Sequence, residues 1–270
     1  MKTRRGPTIS ATVWLALAGV YFLIPLVATL LFSLQSGPNQ SYNISAYSKV
    51  VHDSEFWKTL RLSLVLSLET MAIALLLFVP TAYWVHLKMP RVRRVVEFLS
   101  VLPFVVPPII LVIGFLKLYN GWFHAPEWYL AKPYTFLVSA YVVLAFPYVY
   151  RALDAGLLAI DVHTLTEASL SLGAGWRTTL LRVILPNIRV AALSGALLTL
   201  AIVMGEFTIA SLALFSTFPT YINYINSTQA YEAAALTLVS FGITWAAMLG
   251  VLLVGRGRGR VRPVQIAATR

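Results

Sequence analysis

The sequence predicts an all-α membrane protein of six transmembrane helices, with a cytoplasmic helix–turn–helix loop between the fourth and fifth spans. Three observations carry that reading. Charged residues make up 11% of the 270-residue chain and hydrophobic residues 59%, with a mean hydropathy of +0.77; a soluble domain carries roughly 25% charged residues. Six apolar stretches approach or exceed the roughly 20 residues needed to cross a bilayer as a helix. The basic residues fall unevenly: sixteen of the 21 Lys and Arg lie on the side that holds both termini, and five on the other. That asymmetry places both termini in the cytoplasm. The net charge of +11 is therefore an orientation signal, and no nucleic-acid partner is expected.

Taken in order, Lys2, Arg4 and Arg5 precede an uncharged run, and the first span is placed at about 9–34. That run is longer than the 7–15 apolar residues typical of a signal peptide, so it reads as an uncleaved anchor. A polar loop follows, whose Tyr42, Tyr47, Phe56 and Trp57 suit a helix lying at the membrane interface. The second span, about 62–85, contains Glu69. The third, about 98–115, contains Pro103, Pro107 and Pro108, which predict a kinked or interrupted helix whose freed carbonyls need other partners. The fourth span is about 134–150, with Pro147 near its end; the fifth is about 190–215, with Glu206 inside it; the sixth is about 233–254. The whole chain reads as one transmembrane domain. An arginine-rich tail, Arg256 to Arg262, is suited to anionic headgroups.

The loop at about 161–187 is too polar to span and too regular to be random. Thr164 with Glu167 three residues on has the form of a capping box. Leu165, Ala168 and Leu172 then share one helical face. Gly173 and Gly175 break the helix, a second helical stretch carries Leu180, Leu181 and Ile184, and Pro186 ends it. Glu167, Ala168, Gly173, Leu185 and Pro186, with Ser169 in place of a second alanine, stand at the spacing of the "EAA" loop, and the segment resembles that cytoplasmic loop of importer-type ABC transporter permeases. Leu102–Pro107, Phe146–Leu153 and the Gly205-Glu206-Phe207-Thr208-Ile209-Ala210-Ser211 run also look like segments of these permeases, with a lean towards the spermidine/putrescine type.

The resemblance implies a permease subunit forming half of a translocation pore in a bacterial or archaeal inner membrane. It implies as partners two cytoplasmic ATP-binding subunits, a second permease subunit, more readily a homologue than an identical copy, and an extracytoplasmic solute-binding protein. In this reading Thr164, Leu165, Glu167, Ala168, Leu172, Gly173 and Pro186 couple to the ATPase, and Glu206, Thr208 and Ser211 lie on the translocation path. The solute expected is a small polar or cationic molecule such as a polyamine. The alternatives are ferric iron, thiamine or phosphonate by the same mechanism, or a stand-alone secondary transporter. Glu206 also admits a structural reading, a carboxyl bonded to a neighbouring span, and Glu69 reads as packing or subunit contact.

Chemistry of its own is not expected of the chain. It has no G-x-x-x-x-G-K-[ST] loop for ATP, no nucleophile–base constellation, no cysteine, and four scattered histidines without ligand spacing. Catalytic residues, metal ligands and cofactors are all read as none.

Overall fold

The computed structural model describes residues 9–36, 41–118 and 133–256. It is helical apart from a two-residue antiparallel pair, β1 (Gln35–Ser36) with β2 (Ser41–Tyr42). The helices are α1 (Ile9–Ser33), α2 (Ser45–His52), α3 (Ser54–Lys88), α4 (Arg93–Val105), α5 (Pro108–Lys117), α6 (Pro133–Leu158), α7 (Val162–Ser171), α8 (Trp176–Asn187), α9 (Arg189–Gly205), α10 (Thr208–Leu212), α11 (Phe218–Thr228) and α12 (Ala230–Arg256). Four of them are long and apolar enough to cross a membrane, and up to six spans result if the bent pairs α4–α5 and α8–α9 each count as one.

The bend between α4 and α5 falls where the sequence removes backbone donors. Pro107 and Pro108 cannot donate, and the residue before a proline is pushed out of the helical region. Val106 is accordingly extended (φ −79°, ψ 122°), Pro108 opens α5, and the two helices meet at 105°. Between α8 and α9 the bend is 80°, at Ile188. Pro147, in contrast, lies inside α6, which runs on to Leu158 rather than ending near residue 150. The fifth span also differs from its expected extent. Its helix stops at Gly205, and Glu206 is extended (φ −76°, ψ 112°), because the Glu206 carboxylate caps the next turn instead of sitting within one continuous helix.

By contacts the chain forms two compact units, Met1–Leu60 with Phe218–Ile243, and Arg61–Thr217 with Thr244–Arg270. In the smaller unit, Asn43 caps α2 by accepting from Ser45 N (3.0 Å), and Asp53 accepts from Glu55 N (2.9 Å) at the start of α3. The Tyr221 hydroxyl donates to Asp53, and Lys49 Nζ lies 2.6 Å from Glu232 Oε1. Phe56 is not an interface residue: it is buried against Phe218, with ring centroids 5.7 Å apart. Between the expected fifth and sixth spans lies α11, whose Phe218, Tyr221 and Ile225 form its buried stripe.

The larger unit has two apolar cores. One gathers Val79 and Tyr83 of α3, Val149, Leu153 and Leu157 of α6, Val162 of α7, Leu180 and Ile184 of α8, and Ala192 of α9. The other gathers Leu66, Val112, Phe136, Tyr141, Val203 and Ile209. Helices α6 and α9 approach closely because glycine faces the partner helix at two heights. A Cβ on Gly156 would lie 2.4 Å from Ala191 Cβ, and one on Gly195 3.2 Å from Val149 Cα. Small residues at such contacts let transmembrane backbones pack tightly, where dispersion replaces the hydrophobic drive. Gly156→Ala should therefore force α6 and α9 apart and cost about 1–3 kcal/mol, read as a lower unfolding temperature in detergent. Gly19→Ala, where a Cβ meets nothing, should stay within about 0.5 kcal/mol.

Candidate functional site: the hairpin between the fourth and fifth spans

Helix α7 begins one turn earlier than its sequence signature suggests. The N-cap is Asp161, whose carboxylate accepts from Thr164 N (3.1 Å) and from the Thr164 hydroxyl (2.7 Å). Those bonds to the charged form hold the Asp161 carboxyl below the usual carboxylate range. Thr164 and Glu167 are thus not a capping box. Thr164 is the third helical residue, and Glu167 is exposed on the second turn with no hydrogen-bond or ion-pair partner among the described residues.

The buried face of α7 is Val162, Thr166 and Ser169, one stripe at i, i+4 and i+7. Two of those three are hydroxyl residues, each paired. Thr166 Oγ1 lies 3.2 Å from the Tyr83 hydroxyl of α3, and Ser169 Oγ 2.9 Å from Thr179 Oγ1 of α8. Leu165 leans towards the same side and packs on the core. The expected face is thus split: Leu165 is half-buried against the core, while Ala168 and Leu172 remain outside, with Leu172 88% exposed.

The turn is a Schellman motif. Gly173 takes φ +81°, its N–H bonds Leu170 O (2.9 Å), and Ala174 N bonds Ser169 O (3.2 Å). A Cβ on Gly173 would meet nothing within 4 Å, so glycine is required for its dihedral angle and not for space. Gly175 is extended and leads into α8. A six-residue π-helical stretch, Thr179–Ile184, precedes Pro186, and such wide turns absorb a missing donor. Pro186 is exposed and does not end the helix, which continues to Asn187.

The three residues expected on a path cluster after α9. Glu206 Oε1 accepts from Ile209 N (2.8 Å) and Oε2 from Ala210 N (3.3 Å), so the carboxylate satisfies free amides of α10. Thr208 is exposed and Ser211 partly so. The turn closing α10 holds Leu214 at φ +60°, strained for a side chain with a Cβ, and 91% exposed. Glu69 is separate from this cluster. It sits near the middle of α3 on the outward stripe of Leu68, Ala72, Ile73, Leu76 and Leu77, exposed and without a partner among the described residues.

A cluster that sequence reading missed ties three helices together beside the hairpin. Asp154 of α6 accepts from Arg93 of α4 through Nε (2.7 Å) and an NH2 nitrogen (2.8 Å), and lies 2.8 Å from His86 Nε2 of α3. Its one sequence signal was an acid set among Tyr150, Leu153 and Leu157, the inward face of α6. Bidentate Arg–carboxylate pairs fix orientation as well as energy. Asp154→Ala should leave Arg93 without its carboxylate and cost about 1–3 kcal/mol, measured by thermal unfolding of the purified chain; an unchanged midpoint would remove the cluster from the structural account.

With this geometry in hand, the comparisons are direct. Residues 79–257 match the family described as binding-protein-dependent transport system inner membrane component. The molybdenum transport system permease protein ModB of Azotobacter vinelandii is 31% identical over 159 residues, spanning 56% of this chain and 69% of that protein. Among solved structures, a bacterial ABC transporter importing the acidic polysaccharide alginate superposes with a TM-score of 0.65 at 17% identity, covering 91% of this chain and 94% of that one. An amino acid ABC transporter crystallised with histidines gives 0.51 at 22% identity, covering 77% and 94%. The all-helical fold is that of an ABC-type permease, an inner-membrane, multi-pass subunit that hydrolyses nothing itself. The chain belongs to the binding-protein-dependent transport family, as the permease subunit of a type I ABC importer.

Proposed function

We infer that the α7–α8 hairpin is the coupling element, turned to the cytoplasm and seated on an ATP-binding partner subunit. One observation carries this. The hairpin is fastened inward by Val162, Thr166 and Ser169, yet its outer surface shows Ala168, Leu172 and a bare Gly173 beside an unpartnered Glu167. An apolar rim on a rigidly held turn has the properties of a docking knob, and the positive-inside count supports its cytoplasmic side. Two ATPases, an unlike second permease and an extracytoplasmic binding protein complete the proposed assembly. An alginate transporter has been crystallised with a pentasaccharide-bound periplasmic protein, at a TM-score of 0.64 and 15% identity, which supports the last partner. ATP would close the ATPase dimer, the hairpin would move with it, and the spans would rock between inward-open and outward-open states. Glu206, Thr208 and Ser211 are proposed to line the path, and Glu69 to meet the second permease, since a carboxylate facing lipid costs roughly 2.5–3.5 kcal/mol by insertion scales.

The docking role is tested by co-purification of the tagged chain with its ATPase. Gly173→Trp adds both bulk at the knob and strain at φ > 0 of about 1–2 kcal/mol, and should lose the ATPase while still inserting. Gly173→Asn, which tolerates the left-handed region, should retain more of it. Full ATPase recovery with Gly173→Trp would sink the coupling role.

For the solute, two readings have separate support. The polyamine reading rests on an acid in the fifth span, but the Glu206 carboxylate is committed to two backbone amides. The molybdenum permease relative favours a small oxyanion instead, and we propose that class first. Vesicles carrying the assembled transporter should accumulate labelled molybdate in an ATP-dependent manner; accumulation of spermidine with no molybdate uptake would restore the polyamine reading.

A further inference from the structure

Helices α3 and α8 enclose an open cleft of about 430 Å³ that the coupling reading does not use. Its walls are aliphatic, among them Ala72, Leu76, Pro80 and Leu181, and no acidic residue lines it. One end is different. There Trp176 stands 6.4 Å from Trp84, and the Arg177 guanidinium carbon lies 5.5 Å from the Trp176 ring centre. Arg177 is exposed and has no carboxylate partner among the described residues. From Trp84 to Ala72 is twelve residues of α3, about 18 Å of helix. That is close to one leaflet of hydrocarbon, about 15 Å deep.

The geometry points to a binding site for one anionic glycerophospholipid. The acyl chain lies along Ala72, Leu76 and Pro80, and the phosphate meets Arg177 where the two tryptophans mark the headgroup level. The chemistry fits at both ends. Tryptophan concentrates at the membrane–water boundary, a guanidinium stacked on an indole keeps its N–H groups for a phosphate, and basic pockets between spans on the cytoplasmic side suit anionic headgroups. The lysine that ends α3, Lys88, is exposed and adds charge of the same sign at that end. Glu69, one turn beyond Ala72 on the same stripe, does not line the cleft. The inference rests on the membrane-spanning reading and not on the coupling role or the solute.

The test is native mass spectrometry of the tagged full-length chain with whatever subunits accompany it, delipidated and titrated with palmitoyl-oleoyl phosphatidylglycerol or the matching phosphatidylcholine. The wild type should hold one phosphatidylglycerol per permease chain with about fivefold preference over phosphatidylcholine, and Arg177→Ala should cut that preference below about twofold. Arg177→Lys should keep part of it. Ala72→Trp, which fills the apolar end and leaves Arg177 in place, should reduce retention of both lipids. Equal retention of the two lipids by the wild type, or an unchanged preference in Arg177→Ala, would overturn the site. So would a photo-crosslinker at Leu76 that captures a second permease or an ATPase chain in place of lipid. ATPase recovery, recorded in the same samples, separates a failed lipid site from a failed coupling role.

Discussion

In hydrocarbon there is no water to satisfy a bare N–H or C=O, so every interruption of a spanning helix must bring its own partners. The breaks in this chain obey that constraint with local devices. At α4–α5, Pro108 occupies the first helical position, where a donor would be idle in any case. After α9, the amides exposed by the break at Gly205 are taken by Glu206. The hairpin, which is too polar to span, follows the same rule: Asp161 and the Gly173 turn close the two ends of α7. An acid within a transmembrane stretch is expensive, and at Glu206 the cost is offset by a structural use that is visible in two hydrogen bonds.

The same economy shapes the hairpin. Its inner face is held by hydroxyl pairs as much as by apolar contact, which fixes its register against α3 and α8 without a large hydrophobic stripe. That leaves Leu172 and Ala168 free on the outside, beside a glycine whose value lies in its φ angle. The Asp154–Arg93–His86 cluster joins α6, α4 and α3 close by, so the hairpin and the broken third span share one mechanical support. The hairpin is thus held on packed helices along its inner face.

The residues that sequence reading located well are those whose chemistry is set by neighbours along the chain. Gly173 is legible because an αL residue at a helix end is a local demand, and Pro107–Pro108 because missing donors act within one turn. Pro186 is legible as part of the motif, though the π-helical stretch before it lets the helix run past it. The residues read wrongly or not at all depend on what lies across the fold. Thr164 is the local exception: it has the pattern of a cap, but Asp161, only three residues before it, is the N-cap and takes the amide. Leu165 has the period of an outer face, yet it is half-buried against the core of the larger unit. Thr166 and Ser169 carry no sign of burial in the sequence, because hydroxyls enter a core only when partners such as Tyr83 and Thr179 are there to receive them. Gly156 and Gly195 gave no sign that α9 would pass within van der Waals contact.

The sequence by itself determined the class of this protein: apolar runs set the spans, the placement of Lys and Arg set the expected orientation, and the Glu167–Pro186 spacing pointed to the permease family. Those properties follow from composition and period along one dimension, which transfer free energies read directly. Only the tertiary structure decided which of its acids are committed and which are open. Glu206 is bound to α10, Asp154 is held by Arg93 and His86, and Glu69 has no partner among the described residues on its outward stripe. The physical reason is that a carboxylate's cost in a membrane depends on the donors within about 3 Å of it: Asp154 draws them from α3 and α4, far away in the chain, whereas Glu206 finds them in the turn that follows it only because the helix breaks at Gly205.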